Sequence, residues 1–202
     1  MIRFFSIIFL LITLGCKNLA KTATTSSGRI FVPIQFDNMT IYVAPDYYKV
    51  NGIRTPVDLD QAIHLVGQYN SILPTVSIVD AIWNSADIHL QPLPMSPGPN
   101  MASIPYISKH NSMIENQLGE YDNVSDKALI AGHKKDIVEN TRKNGRVAIY
   151  GWHRENGKPI QPFSTVHGKY YYDYSHGLRF ISKIAYDKDG TKIDLSEYLN
   201  SS

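Results

Sequence analysis

The sequence predicts an α+β fold, with an N-terminal strand pair and three helices followed by a β-rich C-terminal half. Three observations carry this expectation. The runs "RIFVPI" (29–34) and "TIYVA" (40–44) are β-branched and aromatic and read as a strand pair. Apolar residues recur at helical spacing through 55–70, 76–86 and 105–118. From Lys127 onward, short strand-like runs are broken by Gly, Asn and Pro. Separated runs of strands and helices argue α+β rather than a wound α/β sheet.

Each element has its own signal. In the first helix Leu59, Ala62, Ile63, Val66 and Tyr69 form the apolar stripe, with Asp58 or Thr55 as N-cap. Thr75, after Pro74, caps the second helix, whose stripe is Ile78, Val79, Ile82 and Trp83. Four prolines make 89–101 an extended surface loop, of the kind that borders a cleft. The third helix runs from Pro105 to Leu118 and closes at Gly119; His110 lies one turn after Tyr106 and reads as a capped or solvated side chain. The strand-like segments that follow are "KALIAG", "RVAIYGW", "STVHGKYYYDY" and "LRFISKIAY". Hairpin turns are expected at "ENGK" (155–158), where Asn-Gly tolerates positive φ, and at "DKDG" (187–190).

The N-terminus addresses compartment. Arg3 is followed by an apolar run from Phe4 to Leu14, too short to span a bilayer but suited to a signal-peptide core. The run ends at Gly15 and Cys16, and "TLGC" resembles a bacterial lipobox, with Thr13 where that pattern prefers Leu. The resemblance implies that Cys16 is diacylated and becomes the new N-terminus, anchoring the chain to a membrane outside the cytoplasm; plain secretion is the alternative. The expected organisation is a signal peptide over 1–16, a small, polar tether over 17–28 and a single domain over 29–202. Cys16 is the only cysteine, so the folded part has no disulfide, thiol nucleophile or cysteine metal ligand.

Composition narrows the function classes. Hydrophobic residues make up 43%, enough for a core, and the net charge of +2, with no basic block among aromatics, gives no reason to expect nucleic acid. The 13 tyrosines suit half-buried strands or the walls of a binding cleft.

Chemistry concentrates in the second half. His133, His153, His167 and His176 each stand beside glycine or at a strand end. His167 and Asp173 share a face of a straight strand, but at ~3.3 Å per residue they would be about 20 Å apart. A site therefore needs a turn near Gly168-Lys169, with residues up to Val166 pairing back on Tyr170–Tyr174, and help from the His133–Asp136 loop or from His153. In "GHKKDIV", His133, Lys134, Lys135 and Asp136 read as one short turn, with the lysines placed for an anionic ligand. A histidine oriented by a carboxylate acts as a base near neutral pH. His153 and His167 are also candidate ligands for a divalent metal such as zinc. Trp152 and Arg179 complete the candidate substrate contacts. Histidines hydrogen-bonded in turns are the structural alternative throughout.

Two local resemblances bear on this block. His167-x5-Asp173 is similar to the first half of the zinc pattern of D-Ala-D-Ala-type peptidases, although Trp152-His153 precedes it here. "VHGKYYYDYSHGLRFIS" resembles the catalytic segment of L,D-transpeptidases, with His167-Gly168 and Ser175-His176-Gly177 matching its two His-Gly pairs. Leu178 stands in the position of that family's nucleophilic cysteine, and Arg179 comes one residue early. That resemblance implies either a binding relative or an enzyme using something other than cysteine. The block as a whole has the texture of a bacterial secreted-protein family. The expected function is a hydrolase-like enzyme acting on an envelope or extracellular polymer such as peptidoglycan through a His/Asp site. The alternative is a non-catalytic glycan- or peptide-binding envelope lipoprotein.

Overall fold

The computed structural model describes residues 23–24, 29–140 and 145–201, which form an α+β fold with four helices. The segment expected to be a signal peptide with a lipobox-like end, including Cys16, lies outside the described residues. Within the expected tether, β1 (Ala23–Thr24) pairs antiparallel with Ile30 and Phe31, so the tether is not free along its whole length. Among the described residues no helix is long and apolar enough to cross a membrane.

β2 (Ile30–Phe36) and β3 (Met39–Val43) form the expected hairpin, closed at Asp37, whose φ is 50°. β4 (Lys49–Val50) and β5 (Ile53–Arg54) form a second hairpin around Asn51-Gly52. Both turn residues have positive φ, the conformation an Asn-Gly turn favours. α1 (Leu59–Gln68) starts at Asp58 with a reciprocal capping box to Gln61. β6 (Ser71–Ile72) leads to α2 (Val76–Ser85), capped by Thr75. β7 (Ile88–His89), the proline-rich segment and α3 (Ile104–Leu118) follow. The C-terminal half holds β8 (Ile130–Ala131), β9 (Lys135–Val138), β10 (Ala148–His153), β11 (Pro159–Ser164), β12 (His176–Gly177), β13 (Ile181–Ser182), β14 (Ile184–Asp187) and β15 (Lys192–Asp194). A fourth helix, α4 (Leu195–Ser201), closes the described chain.

The strands form two main sheets. The larger runs β1-β2-β3-β13-β6, with β14 also pairing β3 and β15; the smaller runs β11-β10-β9-β12. The chain passes from one to the other through 176–182, and Phe180 and Leu178 accept backbone bonds from Ala44 and Tyr48 on the way. On one side of the larger sheet Ile41, Ile78, Ile82, Ala185 and Leu195 pack with α2 and α4. A second cluster joins Phe31, Ala62, Val66, Ile137, Ile149 and Phe180, linking the two sheets to α1.

Two expectations are corrected. The tyrosine-rich stretch is not a strand: β11 stops at Ser164 and 165–175 are irregular. A turn does form at Gly168, where the Tyr171 N–H donates to the Gly168 carbonyl. Val166 and its predecessors do not pair back on Tyr170–Tyr174, however; Gly168 bridges Arg146 instead. "GHKKDIV" is likewise not one short turn, because Lys135–Val138 is an interior strand, and Lys134 before it is buried.

Candidate functional site

The smaller sheet lays three of the histidine-glycine segments side by side. β12 runs parallel to β9 with His176 opposite Lys135 and Gly177 opposite Asp136. On the other side of β9, Gly151 of β10 stands opposite Lys135. Glycine at 177 is required by close approach: a Cβ there would stand 2.5 Å from the Tyr47 ring and 2.9 Å from the Lys134 Cβ. At Gly151 the pairing of β10 with β11 shifts, and Trp152 follows with φ 58°. A bulky residue held there stores of order 1–3 kcal/mol of strain, and such strain concentrates at functional sites.

His176 ends a short turn made by Asp173. The Asp173 Oδ1 accepts from the Ser175 N–H at 2.7 Å and from the Ser175 hydroxyl, while Oδ2 accepts from the Tyr171 hydroxyl at 3.0 Å. The His176 N–H donates to the Asp173 carbonyl at 3.1 Å. Burial pushes the Asp173 carboxyl up, but the nearby His176 and the Ser175 bonds outweigh it and hold it below the usual range. His176 is 1% exposed, and neither ring nitrogen has a hydrogen-bond partner. Burial, against the attraction of Asp173, pulls its pKa down to about 4, so the ring is neutral at pH 7. His167 stacks on Tyr171 with centroids 3.8 Å apart, and Tyr171 meets His176 edge-on at 5.7 Å. The turn at Gly168 thus brings His167, Asp173 and His176 into one neighbourhood.

The two lysines flank this turn differently. Lys134 is 1% exposed, its ammonium donates to the Tyr174 carbonyl, and burial lowers its pKa to about 7. An amine in that range can give or take a proton at neutral pH. Lys135 is half-buried, with Nζ 4.9 Å from the centroid of the Trp152 ring. His110 lies beneath, fully buried, edge-on to Tyr174 at 4.8 Å and to Trp152 at 6.4 Å. It is neither capped nor solvated.

A third group sits on the Tyr47 side of Gly177. Asp46 accepts from His133 at 3.0 Å, from Arg54 at 3.1 and 2.6 Å and from Lys49 at 2.8 Å. Burial opposes ionisation of Asp46, but the His133 bond and the Arg54, His133 and Lys49 charges hold it well below the usual range. The Tyr47 hydroxyl donates to Asp136 at 2.8 Å. Burial raises Asp136 to about 6, against the pull of Arg179 and Tyr47. Arg179 is completely buried and donates to the Ala44 and Ile130 carbonyls at 2.8 Å each. It ties three segments together and does not face a ligand; Asp136 serves the same layer. Asp46, Tyr47 and Arg54 were missed by sequence reading, and His110 was singled out but misread. The Asn-Gly turn at 51–52, which folds Arg54 back beside Asp46, was the available signal.

His153 stands apart. Its Nε2 lies 3.1 Å from Asp80 Oδ1, which also accepts from Tyr150, and its ring stacks on Trp83 at 5.2 Å. His153 and His167 stack on different rings, Trp83 and Tyr171. Among the described residues no group of three or more His, Cys, Asp or Glu is arranged to hold a metal ion. A surface cleft of about 530 Å³ reaches Asp46 beside Lys49 and Glu115, while one of about 610 Å³ lies between Val32, Asp87 and Tyr121; neither is lined by His176 or Lys134. Comparison with protein families, with curated proteins and with solved structures finds no match for this chain.

Proposed function

We propose that this chain is a hydrolase-like enzyme of the cell envelope, acting on an envelope or extracellular polymer such as peptidoglycan, with the His176 turn as its reactive centre. The observation that carries the reading is His176: a buried, neutral imidazole with both nitrogens unpartnered, beside an ionised Asp173 whose oxygens are already bonded. An unpaired buried polar group costs about 1–3 kcal/mol, and one kept beside a charge in a strained neighbourhood is a candidate for chemistry. In this reading His176 removes or supplies the proton, and Asp173 stabilises the imidazolium as it forms. Lys135 and His167 hold an anionic part of the substrate, with Lys134 as the second near-neutral base. Cys16 carries the lipid that keeps the site at the envelope.

The test is a digest of purified peptidoglycan by wild type, His176→Asn and His167→Ala, read by chromatography of the soluble fragments. New fragments from wild type, lost in His176→Asn and reduced in His167→Ala, support the enzyme. One observation favours the binding alternative: Phe163, Val166 and Tyr170 expose apolar surface beside the His167 turn, as a glycan- or peptide-holding face would. Co-sedimentation with peptidoglycan but no fragments from any form would select that reading. For the anchor, Cys16→Ala moves the protein from the membrane to the soluble fraction; unchanged partition contradicts lipidation.

A further inference from the structure

The proline-rich segment between Gln91 and Met101 is held in place in an unusual way. Its first end is clamped to α3, where the Gln91 N–H donates to Gln117 at 2.9 Å and Gln117 donates to the Gln91 carbonyl at 3.1 Å. Its last end is pinned by the Tyr174 N–H on the Met101 carbonyl at 2.9 Å. Between these ends, two tyrosine hydroxyls hold it. Tyr174 accepts from the Met95 N–H at 2.7 Å and lies 3.2 Å from the Met95 carbonyl, and Tyr106 donates to the Ser96 carbonyl. Pro92, Pro94, Pro97 and Pro99 lack N–H groups, so the stretch is poorly suited to join a sheet, and its prolines make it a semi-rigid strap.

Beneath this strap the polar inventory is one-sided. The Tyr174 ring fills the space between His110 and Trp152, with centroids 4.8 and 6.5 Å away, and is itself buried. Trp152 Nε1 is a buried donor with no partner, and the His110 ring faces only the backbone of Leu93, in the strap itself. Lys134 adds an ammonium whose one hydrogen bond is to the Tyr174 carbonyl. Three donors thus surround the Tyr174 ring, and the nearby Asp173, whose charge reaches Lys134, has its oxygens bonded to Ser175 and Tyr171 rather than to these donors. Trp152 is held in its strained conformation at this very place.

We propose that the strap covers a pocket for an anionic group, a carboxylate, bounded by His110, Trp152 and Lys134, with Tyr174 as both plug and latch. When the Met95 bonds break, the strap is released, the Tyr174 ring swings out, and a carboxylate takes the ring's place against the three donors. A charged acceptor suits an ammonium and two neutral N–H groups better than a neutral amide does, because charge-assisted hydrogen bonds are the stronger ones. The pocket stands independently of whether His176 is catalytic.

The experiment uses the full chain in detergent, with acetate as probe and acetamide as its neutral counterpart. The reporter is the indole N–H resonance of Trp152, and amide exchange of residues 93–101 reports the strap. Tyr174→Phe removes the latch while keeping the ring, and speeds strap exchange and tightens acetate about five- to tenfold, the worth of one hydrogen bond. Lys134→Met weakens acetate at least tenfold, and acetamide shifts nothing. Tyr106→Phe repeats the unlatching with Tyr174 intact. His176→Asn leaves the acetate response unchanged even where it abolishes turnover, which separates this pocket from the proposed reaction. Equal responses to acetate and acetamide, or no acetate response in both unlatched variants, would overturn the proposal.

Discussion

Two histidines of β10 and β12 sit in the same small sheet and look alike in sequence, yet their surroundings are opposite. His153, in "GWHRENG", has an aspartate at its Nε2, a tyrosine sharing that aspartate and a tryptophan face beneath it. His176, in "SHGLR", is more deeply enclosed and has nothing at either nitrogen. The first is a satisfied structural side chain. The second is kept unsatisfied beside a carboxylate that the turn has already saturated. Proximity to glycine marks a strand end in both cases, and only the hydrogen-bond inventory separates the two roles.

The contrast can be broken most forcefully through the scaffold of the second site. Arg179→Met removes the ties to Ala44 and Ile130 and leaves Asp136 a buried charge without its cation. The expected loss is about 3–5 kcal/mol, read as a collapse of the denaturation midpoint; a change under about 1 kcal/mol would show that Arg179 is not the tie described. Gly177→Ala drives a methyl into Tyr47 and Lys134, and is expected to cost about 1–3 kcal/mol.

pH probes the same region. His110, His133 and His176 have folded pKa values near 3, 4 and 4, lowered first by burial. Their unfolded value is about 6.5, so the unfolded chain binds more protons between those limits. Stability therefore rises as pH climbs from about 4 to 6.5. Asp136, raised to about 6, opposes this in part, because the folded state holds its proton between about 4 and 6. Lys134, lowered to about 7, makes the unfolded state the stronger proton binder from there to its ordinary value, and adds a second rise in stability at alkaline pH. Melting curves across pH, repeated for Lys134→Met, check this; the alkaline rise is expected to shrink in the variant to the share of Lys135, whose pKa burial also lowers. The smallest effect belongs to the His153 corner. Asp80→Asn weakens bonds at a half-open carboxylate, and a cost of under about 1 kcal/mol is expected.

Much of the frame was legible because its signals are local. Asp58 and Gln61 sit three apart and cap α1, Thr75 caps α2, and Asn156-Gly157 closes β10 onto β11. What was misread depends on distant partners. His133–Asp136 reads as a short turn in sequence; it is buried because His176 and Gly177, some forty residues on, add a parallel strand beside Lys135 and Asp136. Tyr174 read as one of a strand's tyrosines, and its place under the proline strap comes only from tertiary bonds to Met95. His110 read as a helix-surface residue, although the strap and Trp152 enclose it. Two misses had local signals: Asn51-Gly52 for the hairpin that brings Arg54 to Asp46, and Asp194 with Glu197 for the cap of α4.

The most direct test of the account follows the imidazole rings themselves. Nitrogen-15 spectra of histidine-labelled protein, titrated with soluble peptidoglycan fragments, report each ring separately. The account predicts shifts at His176 and His167 and none at His153. Shifts at His153 with His176 unmoved would contradict it.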